Sequence, residues 1–173
     1  ARVLIHDGAR PLVDAATIAF AHRLADASGA AIRPYFRRPI TVAHKPGNHL
    51  FDPVTEADKG GERAIRAILD AERPDDAILG EEYGAKPGTS GWRWVLDPVD
   101  GTRCFITGRH EWGSLIALEK DETPVLGILD QPVLGERFVG VNGGAELHQA
   151  GKVTPLRVRE CADVKDAVLC ATD

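Results

Sequence analysis

The sequence predicts an α+β fold in which two helices pack on a mostly antiparallel sheet. Three observations carry this. Apolar residues recur near helical spacing in two stretches, 15–36 and 55–72. From Trp92 onward, short apolar segments are separated by turn signals. The order is helix, helix, then a run of strands, with no internal repeat.

Taken in order, Val3 to Ile5 reads as a short apolar strand that ends in a turn at Gly8. Asp14 is a suitable N-cap. Ile18, Ala21, Leu24, Ala25, Ile32 and Tyr35 then mark one face of a long amphipathic helix from Ala15 to about Phe36, in spite of Gly29. Ile40 to Ala43 reads as a strand, and Lys45-Pro46-Gly47-Asn48 as a loop. A second helix runs from about Thr55 to Glu72, with Ile65, Ile68 and Leu69 on one face. Thr55 and Asp58 form its capping box. Ala77 to Leu79 is a short strand, "KPGTSG" a loop, and "WRWVLD" a strand that stops at Asp97. "EWGSLIALEK", "TPVLGILDQP" and "GERFVGVNGG" follow as an antiparallel meander, then one more short strand and an apolar strand from Ala167 to Ala171.

The 173 residues suffice for one substantial core. The net charge of -5 argues against non-specific nucleic-acid binding. It leaves room for a small anionic substrate, because a metal ion reverses the local field. Three scattered cysteines, without CxxC spacing, suggest neither a disulfide framework nor a zinc ribbon, and reduced thiols fit a cytoplasmic protein. No apolar run is long enough for a membrane span, and no signal-peptide pattern opens the chain.

Three short stretches put carboxylates at strand or helix ends: "DPVTEAD" (Asp52, Glu56, Asp58), "GEE" (Glu81, Glu82) and "DPVDGT" (Asp97, Asp100). Oxygen-only clusters suit hard cations, above all Mg²⁺. Asp97 could bridge two ions, with Glu81 on one side, Asp100 on the other and the Val99 carbonyl aimed between them. Gly101 and Thr102 stand where backbone N–H groups could meet a phosphate. The Thr102 hydroxyl could orient a water if Asp58 accepted its proton. Each stretch alone also reads as turn or cap chemistry; "DG" is ordinary turn sequence. Their joint order favours a site.

The set "DPVTEAD", "LGEE" and "WVLDPVDGTRCFITG" resembles the inositol monophosphatase family of Mg²⁺-dependent, Li⁺-sensitive phosphomonoesterases, from about Phe20 onward. The resemblance implies the N-terminal layer of the sugar-phosphatase fold and two or three Mg²⁺ ions. It implies Glu81, Asp97 and the Val99 carbonyl as ligands of the first metal, and Asp97 and Asp100 as ligands of the second. Gly101, Thr102 and Asp100 would contact the substrate phosphate. Thr102 with Asp58, assisted by Glu81, would activate the attacking water. Lys45 matches a family lysine near the metals, and Glu82 the supporting acid of the Glu-Glu pair.

Within the family, Cys104, "FITG" and "WGSLIAL" resemble the histidinol-phosphate phosphatase branch, with the inositol-phosphate and broad sugar-phosphate branches as alternatives. Arg103, Arg109, His110 and Glu111 are candidates for the mouth of the site. Family chains are longer and continue into a second α/β layer, so residues 15–173 are expected to form a metal-dependent phosphatase domain that is incomplete at its C-terminus. The second metal would then be weakly held, one sheet face open, and turnover open to impairment. A homo-oligomer formed through that face is expected. Residues 1–14 form an atypical extension; "RVLIHDGARPLVD" resembles a segment of the methylerythritol-phosphate cytidylyltransferases.

Overall fold

The computed structural model describes residues 13–44 and 53–169. The expected strand at Val3 to Ile5, Lys45, Asp52 and the last residues of the expected 167–171 strand lie outside them.

Asp14 caps α1 (Ala15–Ile32), its Oδ1 accepting from the Thr17 N–H at 2.7 Å. The α-helix ends four residues before the expected Phe36. Pro34 has no N–H to continue the ladder, and Arg33–Tyr35 tighten into a 3₁₀ turn. Helix α2 (Glu56–Glu72) starts on the expected capping box between Thr55 and Asp58. It follows a small antiparallel pair, β1 (Val42–His44) and β2 (Pro53–Thr55).

The main sheet contains β3 (Ala77–Gly80), β4 (Gly84–Lys86), β5 (Trp92–Asp100), β6 (Gly113–Lys120), β7 (Thr123–Gln131), β8 (Glu136–Val141), β9 (Gly144–Gln149) and β10 (Lys152–Pro155). Their spatial order is β10-β9-β8-β7-β6-β5-β3-β4. From β5 to β10 the sheet is an antiparallel meander, as expected for β6 to β8 and with β9 added between β8 and β10, while β3 joins β5 in parallel. A third α-helix, α3 (Thr102–Ile106), is short and follows β5 directly. Residues 167–169 form no strand. Val168 and Leu169 are exposed, with no neighbouring ladder to pair with.

Both long helices cover one sheet face. Phe20, Leu24, Ile65, Leu69, Trp94 and Ile116 meet there in the main core, each buried apolar side chain contributing about 1.5–3 kcal/mol over its exposed state. Along β5 to β7 the alternation puts Val95, Leu115, Ala117 and Leu129 on the other face, where they line an open apolar trough with Phe138 and Leu156. This is the open face expected from the sequence.

Candidate active site

Strand β5 delivers the acids. Its pairing with β6 continues past the expected stop at Asp97. Asp97 opposes Leu115 and Asp100 opposes Gly113, so the register shifts by one residue between them. Pro98 cannot donate to the ladder and its carbonyl accepts instead from the buried Ser114 hydroxyl at 2.7 Å, so the strand bulges and then resumes. The bulge sets Asp97 and Asp100 within electrostatic reach of each other.

Asp97 also shares a hydrogen bond with the Glu81 side chain, and its Oδ1 is buried with no partner. Burial, then that bond to Glu81, then the charges of Glu81 and Asp100 push its carboxyl up to about 8. Glu81 reaches this place through its backbone: its N–H donates to the Leu96 carbonyl of β5 at 3.1 Å.

After Asp100 the chain turns at Gly101, with φ +88°, a region other residues enter at a cost. A Cβ there would stand 2.6 Å from the Glu111 carbonyl oxygen. The turn opens α3 and brings the Thr102 hydroxyl to 3.1 Å from the Val99 carbonyl and 3.2 Å from Asp58 Oδ1. Asp58 comes from the first turn of α2, 44 residues earlier. Its other oxygen accepts from the Thr55 N–H at 2.8 Å and from the Thr55 hydroxyl. Burial raises the Asp58 carboxyl above its ordinary range, against the bonds from Thr55 and Thr102. Oδ1 is thereby left facing Thr102, and the base is stronger than a solvated aspartate.

The structure thus gathers Glu81, Asp97 and Asp100 at one end of β5, and Asp58, Thr102 and the Val99 carbonyl beside them. Among the described residues, no group of three or more His, Cys, Asp or Glu side chains stands close enough together to hold a metal ion. The donor set nevertheless fits a hard cation. A buried carboxylate oxygen without a partner, amid like charges, is costly until a positive charge compensates it.

The candidate mouth residues divide. Arg109 and Glu111 pair with each other at 2.8 Å on the exposed α3–β6 connection, and His110 lies exposed with its ring 5.9 Å from Phe36. Arg103 is exposed on α3. Cys104 is buried among Ile32, Ala57, Phe105 and Trp112, so it packs the core beneath the site.

One buried acid near the site escaped the sequence reading. Glu62 is fully buried on α2, and its carboxylate accepts from the Glu82 N–H at 2.8 Å and the Tyr83 N–H at 3.3 Å. The signal was present: Asp58, Glu62, Ile65 and Leu69 share one helical face. An acid inside an apolar stripe needs a partner.

A family model described as the inositol monophosphatase family matches residues 14–172. The chain is 40% identical over 156 residues to the chloroplastic bifunctional phosphatase IMPL2 of Arabidopsis thaliana, covering 89% of this chain and 43% of that one. It is 43% identical over 126 residues to a histidinol-phosphatase of Streptomyces coelicolor, covering 70% and 46%. A solved structure of an inositol monophosphatase from Zymomonas mobilis superposes with a TM-score of 0.68 at 46% identity, covering 86% of this chain and 56% of that chain. The chain spans about half the length of these relatives.

Proposed function

The chain belongs to the inositol monophosphatase family, and we propose that it hydrolyses a small phosphate monoester in the presence of Mg²⁺, with histidinol phosphate as the substrate. The observation that carries the reading is the meeting of Thr102 and Asp58 at 3.2 Å beside the partnerless Asp97 oxygen.

Glu81, Asp97, Asp100 and the Val99 carbonyl would hold the metal. When bound, Mg²⁺ supplies Lewis acidity that polarises the phosphoryl oxygens. The chain's own residues do the rest. Thr55 locks one oxygen of Asp58, so the other is committed to the Thr102 hydroxyl. As Thr102 passes its proton to Asp58, its Oγ1 can take one from a water that attacks phosphorus in line; the P–O bond to the alcohol breaks, and the departing oxygen takes a proton from solvent. The left-handed turn at Gly101, which packs against the Glu111 carbonyl, opens α3 where a phosphate would approach.

The histidinol assignment is supported by the name of the Streptomyces coelicolor relative together with Cys104 and the "WGSLIAL" run of β6. Inositol 1-phosphate is the second reading, favoured by the likeness to the Zymomonas mobilis structure. Phosphate release from the two esters, measured side by side with Mg²⁺, decides. The proposal expects faster release from histidinol phosphate and inhibition by Li⁺. Preference for inositol 1-phosphate would overturn the substrate. Mg²⁺ binding without turnover of either would mark a metal-binding fragment instead.

A further inference from the structure

Glu81 is exposed on a strand-end turn, a place where the chain has many backbone states unless it is anchored. Two anchors prevent that at the level of the backbone. On one side the Glu81 N–H is bonded to Leu96 of β5, one residue before Asp97. On the other, the next two N–H groups, of Glu82 and Tyr83, are bonded to the buried Glu62 carboxylate. Glu62 is itself oriented by the Arg66 guanidinium, whose Nε donates to Oε1 at 2.7 Å. Arg66 also donates to the Gly84 carbonyl at the end of the same turn, and Arg63 donates to the Tyr83 hydroxyl at 2.7 Å. The second and third turns of α2 therefore grip residues 82–84 from below.

The grip explains the residue at position 80. A Cβ on Gly80 would lie 1.8 Å from Glu62 Oε1 and 2.3 Å from its Cδ. The Glu62 carboxylate occupies the volume that glycine leaves, and only with that volume free can it reach the N–H groups beyond. Asp58 stands one helical turn before Glu62 on the same face of α2. One rigid helix thus carries the acid that faces Thr102 and the acid that holds the turn of Glu81.

We propose that Glu62 is a positioning residue for Glu81: by fixing the backbone of the Gly80–Tyr83 turn from α2, it sets the distance between Glu81 and Asp97 and so the affinity for the cation. The proposal rests on the reading of Glu81 and Asp97 as ligands. Its chemistry is that of an outer residue orienting a ligand, whose loss lowers metal affinity about 10–100-fold.

The test uses Glu62→Gln and Gly80→Ala, which attack the contact from its two sides, with Asp130→Asn as a buried acid elsewhere. Mg²⁺ is titrated by calorimetry into each chain, and amide hydrogen exchange is followed at Glu82 and Tyr83 without metal. The expected result is loss of protection at one amide or both for Glu62→Gln, in which a single acceptor oxygen remains, and at both for Gly80→Ala, with a tenfold or greater fall in Mg²⁺ affinity in each and neither change in Asp130→Asn. Lost protection with Mg²⁺ affinity equal to the parent overturns the proposal, since Glu62 would then be purely structural. Retained protection in Glu62→Gln overturns it as well. A parent chain that binds no Mg²⁺ overturns the metal reading and this proposal with it, and the amide data then still report whether the grip exists.

Discussion

Among the carboxylates this molecule holds away from water, Asp130 and Asp97 are accommodated in opposite ways. On β7, Asp130 is buried, and burial raises its carboxyl. Arg137 of β8 answers it at 2.7 Å, also reaches Asp26 at 2.8 Å, and meets the His22 ring at 3.1 Å. The charges compensate one another inside the chain. At the end of β5, no cationic side chain among the described residues pairs with Asp97. Its neighbours are Glu81 and Asp100, and one of its oxygens has no partner. The first region is closed chemistry that supports the fold. The second is stable only with a proton, or with a positive charge from outside.

The largest test of that contrast is activity. Asp97→Asn should lower phosphate release by about a hundredfold or more, the scale on which a preorganised charge stabilises a transition state. Asp130→Asn should leave turnover per folded molecule within a few-fold. Comparable losses in the two variants would break the contrast. Stability should separate the regions next. Arg137→Ala strands a buried carboxylate and should cost about 3–5 kcal/mol in denaturant unfolding. Asp97→Asn removes a carboxyl that must take up a proton on folding, and the metal-free chain should melt higher, not lower. A smaller effect is expected at the turn between Asp100 and Thr102: Gly101→Ala should cost about 1–2 kcal/mol from the left-handed backbone, more if the Glu111 carbonyl cannot yield.

The pH dependence of the metal-free chain sharpens the contrast further, because the two regions slope in opposite directions. Folded Asp97 keeps its proton up to about 8, against 3.8 for the ordinary group. Its contribution is full below that lower value and is lost as pH rises through about 8. His22 has its pKa held below 6.5, first by burial, then by Arg137 and His148, with Asp26 and Asp130 opposing. Its contribution is present above 6.5 and is lost as pH falls. In melting curves across pH, Asp97→Asn should flatten the alkaline decline and His22→Gln the acid one. Unchanged slopes in both variants would contradict these assignments.

Much of the fold was legible because local chemistry and tertiary packing agree. Asp14, the Thr55–Asp58 box and the strand from Trp92 need only their own neighbours to declare themselves. The parallel pairing of β3 with β5 was hidden: alternation along a strand shows which face is buried, not which strand lies beside it. β4, with the sequence Gly-Ala-Lys, and the polar β9 carry no hydrophobic alternation, since both are largely exposed. The apolar residues 167–169 suggested a strand, but a ladder needs a partner. At the candidate site, Glu81, Asp97, Asp100, Thr102 and Asp58 could be named from motifs in order along the chain. The pairing of Thr102 with Asp58 needs the fold, as does the role of Glu62, whose partners lie 20 and 21 residues away.

The most direct measurement is a calorimetric titration of Mg²⁺ into three metal-free chains: the parent, Asp97→Asn and Asp130→Asn. The account predicts binding to the parent, its loss in Asp97→Asn, and parent-like affinity in Asp130→Asn. Binding that survives Asp97→Asn unchanged, or no binding to the parent at all, would contradict the claim that the end of β5 is the open, cation-seeking region of this molecule.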